Sequence, residues 1–291
     1  MLNRSAVYVL LCYILWGMLP VYWKQLSSVH SLYILSVRIV FSMIFCAMLL
    51  GICRQWPQVK AIWCDKKQLK LLAMASILIT VNWGSYIFAV NSGHILDASL
   101  AYYLNPIMVI LLGAAFFGER LNKRQTAAVI LSVIGVLYSV ISYGTIPVFA
   151  LIIGGTFALY GAVKKQVRVA SIVSTFMETL MVCPVFLIII AIMEGQGTGC
   201  IGYLNGWEYL LIPMAGVVTS VPLLVYAKGI QNTSLALSGI LMYINPTLQL
   251  LIGVFLYHEP FTQAQAVTFL FVWIAVILFV ADGFLQNKRS R

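Results

Sequence analysis

Charged residues are scarce in this chain of 291 residues. Aspartate, glutamate, lysine and arginine together make up 9% of it, whereas hydrophobic residues make up 62%. A soluble domain carries roughly 25% charged residues, because its surface faces water. The shortage of charge therefore excludes an ordinary soluble domain, and the sequence predicts that lipid surrounds most of the chain.

Cysteine pairs and metal-binding patterns are also missing. The six cysteines show no CxxC spacing, and Cys12, Cys46 and Cys183 lie inside apolar runs. A thiol in such a run behaves as a small hydrophobic group. The sequence therefore predicts neither a disulfide framework nor a metal site, and we expect no cofactor.

Catalytic signatures are absent as well. The apolar runs contain no HExxH motif, no paired acids and no Ser/His pairing of the kind that chemistry inside a membrane requires. No Walker motif for phosphate binding occurs, which excludes a self-contained ATP-driven pump. We therefore expect that the protein is not an enzyme.

Apolar runs long enough to cross a bilayer as helices, roughly 17–25 residues each, are what the chain has instead. They fall at about 5–24, 32–53, 69–90, 95–118, 125–143, 146–163, 171–193, 207–227, 234–257 and 264–285. Only the turn signal Gly144-Thr145-Ile146-Pro147 separates the fifth run from the sixth. The sequence predicts an all-α integral membrane protein with ten transmembrane helices.

The basic residues are distributed unevenly between the two sides of the membrane. With the N-terminus in the cytoplasm, 16 of the 18 lysines and arginines fall in cytoplasmic segments. Lys24 falls outside, and Arg38 falls within a span. This bias predicts a multi-pass protein of a bacterial-type plasma (inner) membrane with both termini cytoplasmic. It also accounts for the formal net charge of +10 without nucleic acid.

The strongest basic cluster lies in the stretch from Trp56 to Lys70. Two interpretations are open for it. Trp56 and Trp63 are typical of a short interfacial helix at headgroup level, whereas the charges are equally typical of an ordinary cytoplasmic loop.

An internal duplication divides the chain into two halves. The dipeptide Asn-Pro occurs twice, at Asn105-Pro106 and Asn245-Pro246, 140 residues apart. The same offset pairs further identical residues: Tyr86 with Tyr226, Tyr103 with Tyr243, Leu111 with Leu251, Gly113 with Gly253, Glu119 with Glu259 and Gln125 with Gln265. This pattern predicts two repeats of five helices, 1–144 and 145–291. Since five is odd, the repeats must be inverted in the membrane, as in many secondary transporters.

The two Asn-Pro dipeptides predict where a site lies. A proline inside a helix removes one backbone hydrogen bond, so the carbonyls of Tyr102 and Met242 would be under-satisfied near the midplane. Such groups persist in a membrane where protein buries them or where they line a wet cavity. We interpret both segments as walls of a central substrate cavity. The alternative is that the prolines only kink the helices for packing.

Several motifs carry a family resemblance: Trp16-Gly17-Met18-Leu19-Pro20 with Arg38, Asn82-Trp83, Ala98-Ser99-Leu100-Ala101-Tyr102-Tyr103-Leu104-Asn105-Pro106, Glu119-Arg120-Leu121, Tyr160-Gly161 with Lys164-Lys165, and Tyr243-Ile244-Asn245-Pro246. Together they resemble the RarD group of the EamA family, in the drug/metabolite transporter superfamily. The resemblance covers nearly the whole chain. It implies ten helices in two inverted halves around a central cavity, and the export of amino acids or other small metabolites.

Polar and aromatic residues at mid-depth are the candidate substrate contacts. They are Trp16, Arg38, Asn82, Tyr86, Tyr102, Tyr103, Asn105, Tyr160, Tyr226, Tyr243 and Asn245. Rings and hydroxyls of this kind suit a small amphipathic molecule, although helix packing explains each one as well. Arg38 would bind an anionic group, lock the outer gate or snorkel to the headgroups.

Three acidic residues are candidates for gating or coupling: Glu178, Glu119 and Glu259. Glu178 is the acid that lies well inside a span, where it would carry a coupling proton or pair with Arg38. Glu119 and Glu259 lie on opposite membrane faces, and we expect them to order the turns into the next helices.

These observations predict a secondary transporter, an exporter of a small organic metabolite or drug, that works by alternating access. The expected partners are the lipid bilayer, a small-molecule substrate and a coupling proton, and the protein would be a monomer or a homodimer. The alternative is a non-transporting membrane partner or a channel-like facilitator. A channel usually has symmetry about the membrane normal, which an inverted duplication lacks.

Overall fold

The computed structural model describes residues 4–92, 94–144, 146–202, 204, 206–258 and 261–289. These residues form twelve α-helices and one π-helical turn at Ile252–Leu256, with no strand among them. The α-helices are α1 Arg4–Lys24, α2 Ser31–Ile52, α3 Trp56–Cys64, α4 Lys66–Asn91, α5 Ile95–Phe117, α6 Lys123–Tyr143, α7 Val148–Gln166, α8 Ser171–Gly195, α9 Glu208–Ile230, α10 Leu235–Met242, α11 Ile244–Leu251 and α12 Gln263–Arg289.

Ten segments of the described chain are long and apolar enough to cross a membrane. Nine are single helices, and the tenth, Leu235–Leu256, consists of α10, α11 and the π-helical turn. The predicted all-α membrane fold with ten spans is therefore confirmed. Successive spans run in opposite directions, so we call the side where α1 begins and α12 ends the terminal face, and the other side the opposite face.

The basic stretch after α2 forms the short helix α3, which does not span. Val59 and Ile62 are buried against the protein, whereas Trp56 and Trp63 are 41% and 56% exposed. An amphipathic helix with tryptophans on its outer side suits the membrane interface. Of the two open interpretations, the structure therefore favours the interfacial helix.

Equivalent helices of the two halves have equivalent neighbours. α1 packs against α9 and against the α10–α11 span, and α7 packs in the same way against α4 and α5. α6 packs along α12 at the periphery. These pairings exchange the first half for the second, as an approximate two-fold axis in the membrane plane requires.

The two halves meet at a pair of equivalent residues. The hydroxyl of Tyr243 donates a hydrogen bond to the carbonyl of Tyr103, at 3.4 Å, and these tyrosines are 140 positions apart. Close by, Gly239 of α10 lies so near the Pro106 carbonyl that an added Cβ would sit 2.6 Å from that oxygen. A small residue at the crossing lets the two backbones approach, which is common in membrane helix pairs.

The two Asn-Pro segments differ in backbone structure. α5 runs without interruption through Pro106, whereas the second copy breaks at Tyr243, between α10 and α11. The Tyr243 amide bonds to the Ile240 carbonyl at 3.3 Å, a tighter i to i−3 turn. This turn lies next to Met242. In a regular helix the Pro246 ring would clash with the Met242 carbonyl, four residues earlier. The expectation of two interrupted helices thus holds for the second half alone.

Candidate functional site

Six of the eleven predicted substrate residues fall into two groups at different depths of the fold. The first, which we call the sealed cluster, lies on the terminal-face side and contains Tyr13, Trp16, Phe157, Tyr160 and Tyr226. The second, which we call the open wall, lies toward the opposite face and contains Arg38, Trp83, Tyr86 and Tyr102. Their burial differs. Every member of the sealed cluster except the partly exposed Trp16 is buried, whereas every member of the open wall is at least partly exposed.

Aromatic rings from three helices fill the sealed cluster. Tyr160 of α7 stacks on Tyr226 of α9 with an interplanar angle of 15° and centroids 6.1 Å apart. Trp16 of α1 contacts both Tyr226 and Phe157, with centroids 5.7 and 5.6 Å apart. Offset rings at these distances attract one another beyond the area they bury. The rings therefore pack against one another on the terminal-face side of the bundle.

A buried ion pair lies directly beside the sealed cluster. The Lys164 ammonium of α7 donates to a Glu178 carboxylate oxygen of α8 at 2.6 Å, and the side chains are 1% and 4% exposed. Ser174 accepts from Lys164 at 2.5 Å and donates to Glu178 at 2.7 Å. Tyr160 donates to the second carboxylate oxygen at 3.1 Å, which joins the charges to the rings.

This ion pair corrects two sequence interpretations. Glu178 pairs with Lys164 and not with Arg38, and Lys164 lies in the last turn of α7 instead of in a cytoplasmic loop. The Ser76 hydroxyl of α4 also donates to the Glu178 backbone carbonyl at 2.6 Å. The network therefore ties α4, α7 and α8 together on the terminal-face side.

Arg38 lies between two indole rings in the open wall. Its guanidinium carbon is 3.9 Å from the centroid of the Trp83 ring and 5.6 Å from that of Trp23. The buried Nε has no hydrogen-bond partner among the described residues, and none of the three ion pairs seen there includes Arg38. A cation at this depth without compensation costs at least about 2.5 kcal/mol. The indoles hold the side chain inward, which argues against snorkelling.

Two tyrosines complete the open wall beside Arg38. The rings of Tyr86 and Tyr102 meet edge to face, with centroids 6.1 Å apart, and both lie close enough to interact electrostatically with the guanidinium. Tyr86 is 37% exposed although it lies inside the helix bundle. The Gln249 side chain of α11 lies next to the Tyr102 hydroxyl. Hydrogen-bonding groups therefore surround an accessible cation.

The three predicted asparagines have different surroundings. Asn82 donates to the Ile153 carbonyl at 2.6 Å and to Thr156 at 3.2 Å, so it joins α4 to α7. Asn245 accepts from Gln249 at 2.7 Å. The buried amide oxygen of Asn105, in contrast, has no partner among the described residues.

Glycines bring a helix of the other half onto each Asn-Pro segment. An added Cβ on Gly17 of α1 would lie 2.8 Å from Leu248, and one on Gly154 of α7 would lie 2.8 Å from Met108. Leu248 and Met108 are equivalent positions, since 108 plus 140 is 248. Packing therefore accounts for part of each segment, as the alternative interpretation of the prolines expects.

Glu119 acts across the two halves and does not order the turn that follows it. Its carboxylate accepts from the amides of Leu235 and Ala236, at 2.8 and 2.9 Å, and so caps the N-terminus of α10. The Lys165 ammonium lies 3.6 Å from the same carboxylate and donates to the Thr233 carbonyl. This arrangement, which we call the terminal-face latch, connects α5, α7 and α10. Glu259 lies outside the described residues.

A separate cavity of about 860 Å³ opens at the terminal face. It lies between α3 and the segments after α7 and α9, and its lining includes Asp65, Gln68, Lys165 and Arg168. The predicted substrate residues are not in its described lining. It also contains no side-chain group that could hold a metal ion, and the described chain as a whole has none.

Sequence reasoning missed Lys164, Ser174, Trp23 and Trp83. The repeat offset contained part of the signal, because 38 plus 140 is 178 and 24 plus 140 is 164. Arg38 and Glu178 are therefore equivalent positions with opposite charges. The structure gives Glu178 a lysine partner, and it places Lys24, the equivalent of that lysine, over the Tyr257 ring at 5.3 Å.

Comparison with known proteins identifies the family. The model of the EamA-like transporter family matches the chain twice, over residues 3–141 and 144–281. The uncharacterized transporter YojE of Bacillus subtilis (strain 168) is 40% identical, with 99% of this chain and 97% of that protein covered. Protein RarD of Escherichia coli (strain K12) is 36% identical, with 99% and 97% covered. The predicted resemblance to the RarD group is thus confirmed.

The fold also matches a solved protein of low sequence similarity. A crystal structure 16% identical in sequence superposes with a TM-score of 0.71, over 96% of this chain and 98% of that one. At this identity the likeness concerns the fold alone.

Proposed function

This chain belongs to the EamA-like transporter family and is a membrane transporter, and we propose that it exports a small organic metabolite or drug by alternating access. The exporting unit consists of two inverted repeats, residues 1–144 and 145–291, with the substrate site where they meet. It lies in the bacterial plasma (inner) membrane with both termini in the cytoplasm. The terminal face is then the cytoplasmic face.

One observation supports this mechanism above the others. The site is closed toward the terminal face by the sealed cluster and the Lys164–Glu178 pair, and it is accessible around Arg38 and Tyr86. A site with access to one side is what one state of an alternating-access cycle requires. The other state would form if α1, α9, α10 and α11 rotated as one body relative to α7, α4 and α5.

Flux through reconstituted protein tests the proposal. We expect purified protein in liposomes to release preloaded amino acids, aromatic acids or amphipathic drugs faster than liposomes without protein. Because an alternating-access carrier exchanges substrates, unlabelled substrate outside should accelerate release of labelled substrate inside. The measurement is radiolabel release over time for each compound, with and without a pH gradient.

The matched control is a variant with the terminal face locked. In the background Cys53→Ser/Cys64→Ser, cysteines that replace Gln166 and Asn232, which flank the contact between Lys165 and Thr233, would be bridged with a short bifunctional maleimide. The same variant without the bridge serves as reference. Release by the unbridged variant and none by the bridged one supports alternating access. Folded protein that releases no compound of the panel would contradict the transporter mechanism, and release without exchange would favour the channel-like facilitator.

Two native cysteines test the proposed orientation. Cys53 and Cys64 are exposed free thiols on the terminal-face side of the fold, whereas Cys12, Cys46, Cys183 and Cys200 are buried. If that face is cytoplasmic, a membrane-impermeant maleimide should label the protein in inside-out vesicles and leave it unlabelled in spheroplasts. Gel mobility after labelling with a large maleimide measures the fraction modified.

Loss of the label in the double variant Cys53→Ser/Cys64→Ser identifies the reactive thiols. In that background, Ser28→Cys provides the reverse control, because Ser28 is exposed at the opposite face. It should be labelled in spheroplasts. Labelling of Cys53 and Cys64 from outside would show that the termini are not cytoplasmic.

A further inference from the structure

The chemistry around Arg38 narrows the substrate class, on the premise of the proposed transport function. We infer that the open wall recognises an organic monoanion, a carboxylate attached to a flat apolar body, and that Arg38 binds the carboxylate. The carboxylate would lie at the free edge of the guanidinium, and the apolar body would lie against the rings of Trp83, Tyr86 and Tyr102.

The geometry of Arg38 supports a carboxylate ligand. The guanidinium carbon lies 3.9 Å from the centroid of the Trp83 ring and 5.6 Å from that of Trp23, so aromatic rings pack against the cation. The N–H groups project from the edge of the guanidinium plane, where they can donate to a ligand. A planar carboxylate accepts two parallel hydrogen bonds from such an edge. Ring contacts restrict the movement of the side chain and leave its donors for a ligand.

Arg38 differs from the other buried cation in having no acidic partner among the residues whose side chains the structure describes. Lys164 has Glu178 at 2.6 Å and Ser174 at 2.5 Å, so its charge is compensated inside the protein. The Nε of Arg38 is buried without an acceptor among the described residues. A carboxylate at the accessible part of the guanidinium would compensate a charge for which the described residues supply no acid, which is a strong source of selectivity.

The count of charges favours a monoanion over a phosphate ester. Arg38 is the cation of the open wall. Lys24, at the opposite-face end of α1, is exposed and lies over the Tyr257 ring. A dianionic phosphate would need a second cation or a cluster of amides for comparable compensation. Tyrosine rings and hydroxyls instead provide an apolar surface with one or two further hydrogen bonds.

Binding of a matched set of small probes tests the inference. The probes are 3-phenylpropionate, its neutral amide 3-phenylpropionamide and the cation 3-phenylpropylamine, which share one ring and chain. Binding is measured in detergent through tryptophan fluorescence, because Trp83 and Trp23 would report it. Binding is preferable to flux here, since protonated acids of this size cross bilayers without a carrier. We expect the wild type to bind the carboxylate at least tenfold more tightly than the amide.

Three variants separate Arg38 from general effects of charge. Arg38→Gln should reduce the ratio of carboxylate to amide affinity to about one, and Arg38→Lys should retain only part of it because the fork is lost. Lys24→Gln removes an exposed cation near the same face and should leave the ratio unchanged. If Arg38→Gln fails to fold, Arg38→Lys still tests the inference, because it keeps the charge and removes the planar pair of guanidinium donors.

Several outcomes would overturn the inference. They are equal binding of amide and carboxylate by the wild type, binding of neither, or a preference that survives Arg38→Gln. Two further acids of the chain serve as checks: Asp97, in the first turn of α5, and Glu259. Binding that appears only after Asp97→Asn or Glu259→Gln would show that an acid of the chain itself pairs with Arg38, which also overturns the inference. Exchange of neutral compounds by the reconstituted protein, together with no binding of the carboxylate probe, would overturn the inference and leave the transport proposal standing. Carboxylate binding at Arg38 without flux of any compound would support the inference about the ligand and contradict the transport proposal.

Discussion

Replacement of Lys164 by methionine should lower the stability of the folded protein by about 3–5 kcal/mol, because it leaves a buried carboxylate without its counter-charge. Glu178 is 4% exposed, so water cannot replace the ammonium. Glu178→Gln should cost a similar amount by leaving Lys164 uncompensated. The expected shift in the thermal unfolding midpoint in detergent is roughly 10 °C downward for either variant.

The double variant should recover most of this loss. In Lys164→Met/Glu178→Met both charges disappear, and apolar side chains of similar length occupy the space between α7 and α8. Replacement of a whole buried ion pair by apolar residues is often neutral or stabilising, whereas removal of one partner is costly. The double-mutant cycle therefore measures the coupling between the two charges.

Lys123→Met is the matched control. It removes an exposed lysine at the start of α6, on the same face, and should change stability by no more than about 0.5 kcal/mol. If Lys164→Met unfolds at the same temperature as Lys123→Met, the Lys164–Glu178 pair does not hold α7 and α8 together. A double variant less stable than both single variants would show that packing, and not charge, determines the effect.

The effects of these variants on the rate of transport should not follow their effects on stability. The ion pair lies beside the sealed cluster, on the terminal-face side, which has to open in the other state of the proposed alternating-access cycle. The double variant, which is stable but lacks the polar network of Ser174 and Tyr160, would shift the balance between the two states. A change in exchange rate without a change in stability would connect the network to gating.

The ten spans and their order could be predicted from the sequence, because length and hydrophobicity determine which segments cross a bilayer. The sixth run was predicted at 146–163, and α7 spans Val148–Gln166. Tyr103 and Tyr243, matched in the sequence by their offset, meet at a hydrogen bond in the structure. These features depend on local composition and on the internal repeat, and a single sequence is enough to detect both.

Side-chain partners could not be predicted in the same way. In a soluble helix, an apolar stripe identifies the face that packs inward. A helix in lipid is apolar on all sides, so the pattern does not show how α7 is rotated. Lys164 was therefore indistinguishable from a topogenic loop residue such as Arg168, although it is 1% exposed and Arg168 is exposed. The contact between Glu119 and α10 was equally hidden, since it joins residues more than 100 positions apart.

Asn105 and Asn245 illustrate the limit of the repeat as a guide, and they give the second large effect. The sequence treats them as equivalent, but the oxygen of Asn245 accepts from Gln249 whereas that of Asn105 has no partner among the described residues. An unsatisfied buried acceptor at mid-membrane lowers stability unless a ligand uses it. We therefore expect Asn105 to contribute to substrate binding and Asn245 to contribute to the fold.

Asn105→Ala should reduce substrate affinity about tenfold, the effect of one lost hydrogen bond in a dry site, with little change in stability or a small gain. Asn245→Ala should instead destabilise the protein by about 0.5–1.5 kcal/mol, because it removes the acceptor of the hydrogen bond from the partly buried Gln249 amide. The readouts are exchange of the panel compound with the highest flux and the thermal midpoint of the same preparations. Each variant serves as the control for the other, since both remove one asparagine before a proline.

The combination of the two readouts decides between a site and a packing role. Loss of affinity with unchanged stability in Asn105→Ala places a substrate contact at the midplane, where the halves meet. Loss of stability with unchanged affinity in both variants would assign both Asn-Pro segments to packing, as the glycine contacts at Gly17 and Gly154 alone would suggest. The prediction of a substrate site at the midplane would then be wrong, and the open wall around Arg38 would remain as the candidate for substrate recognition.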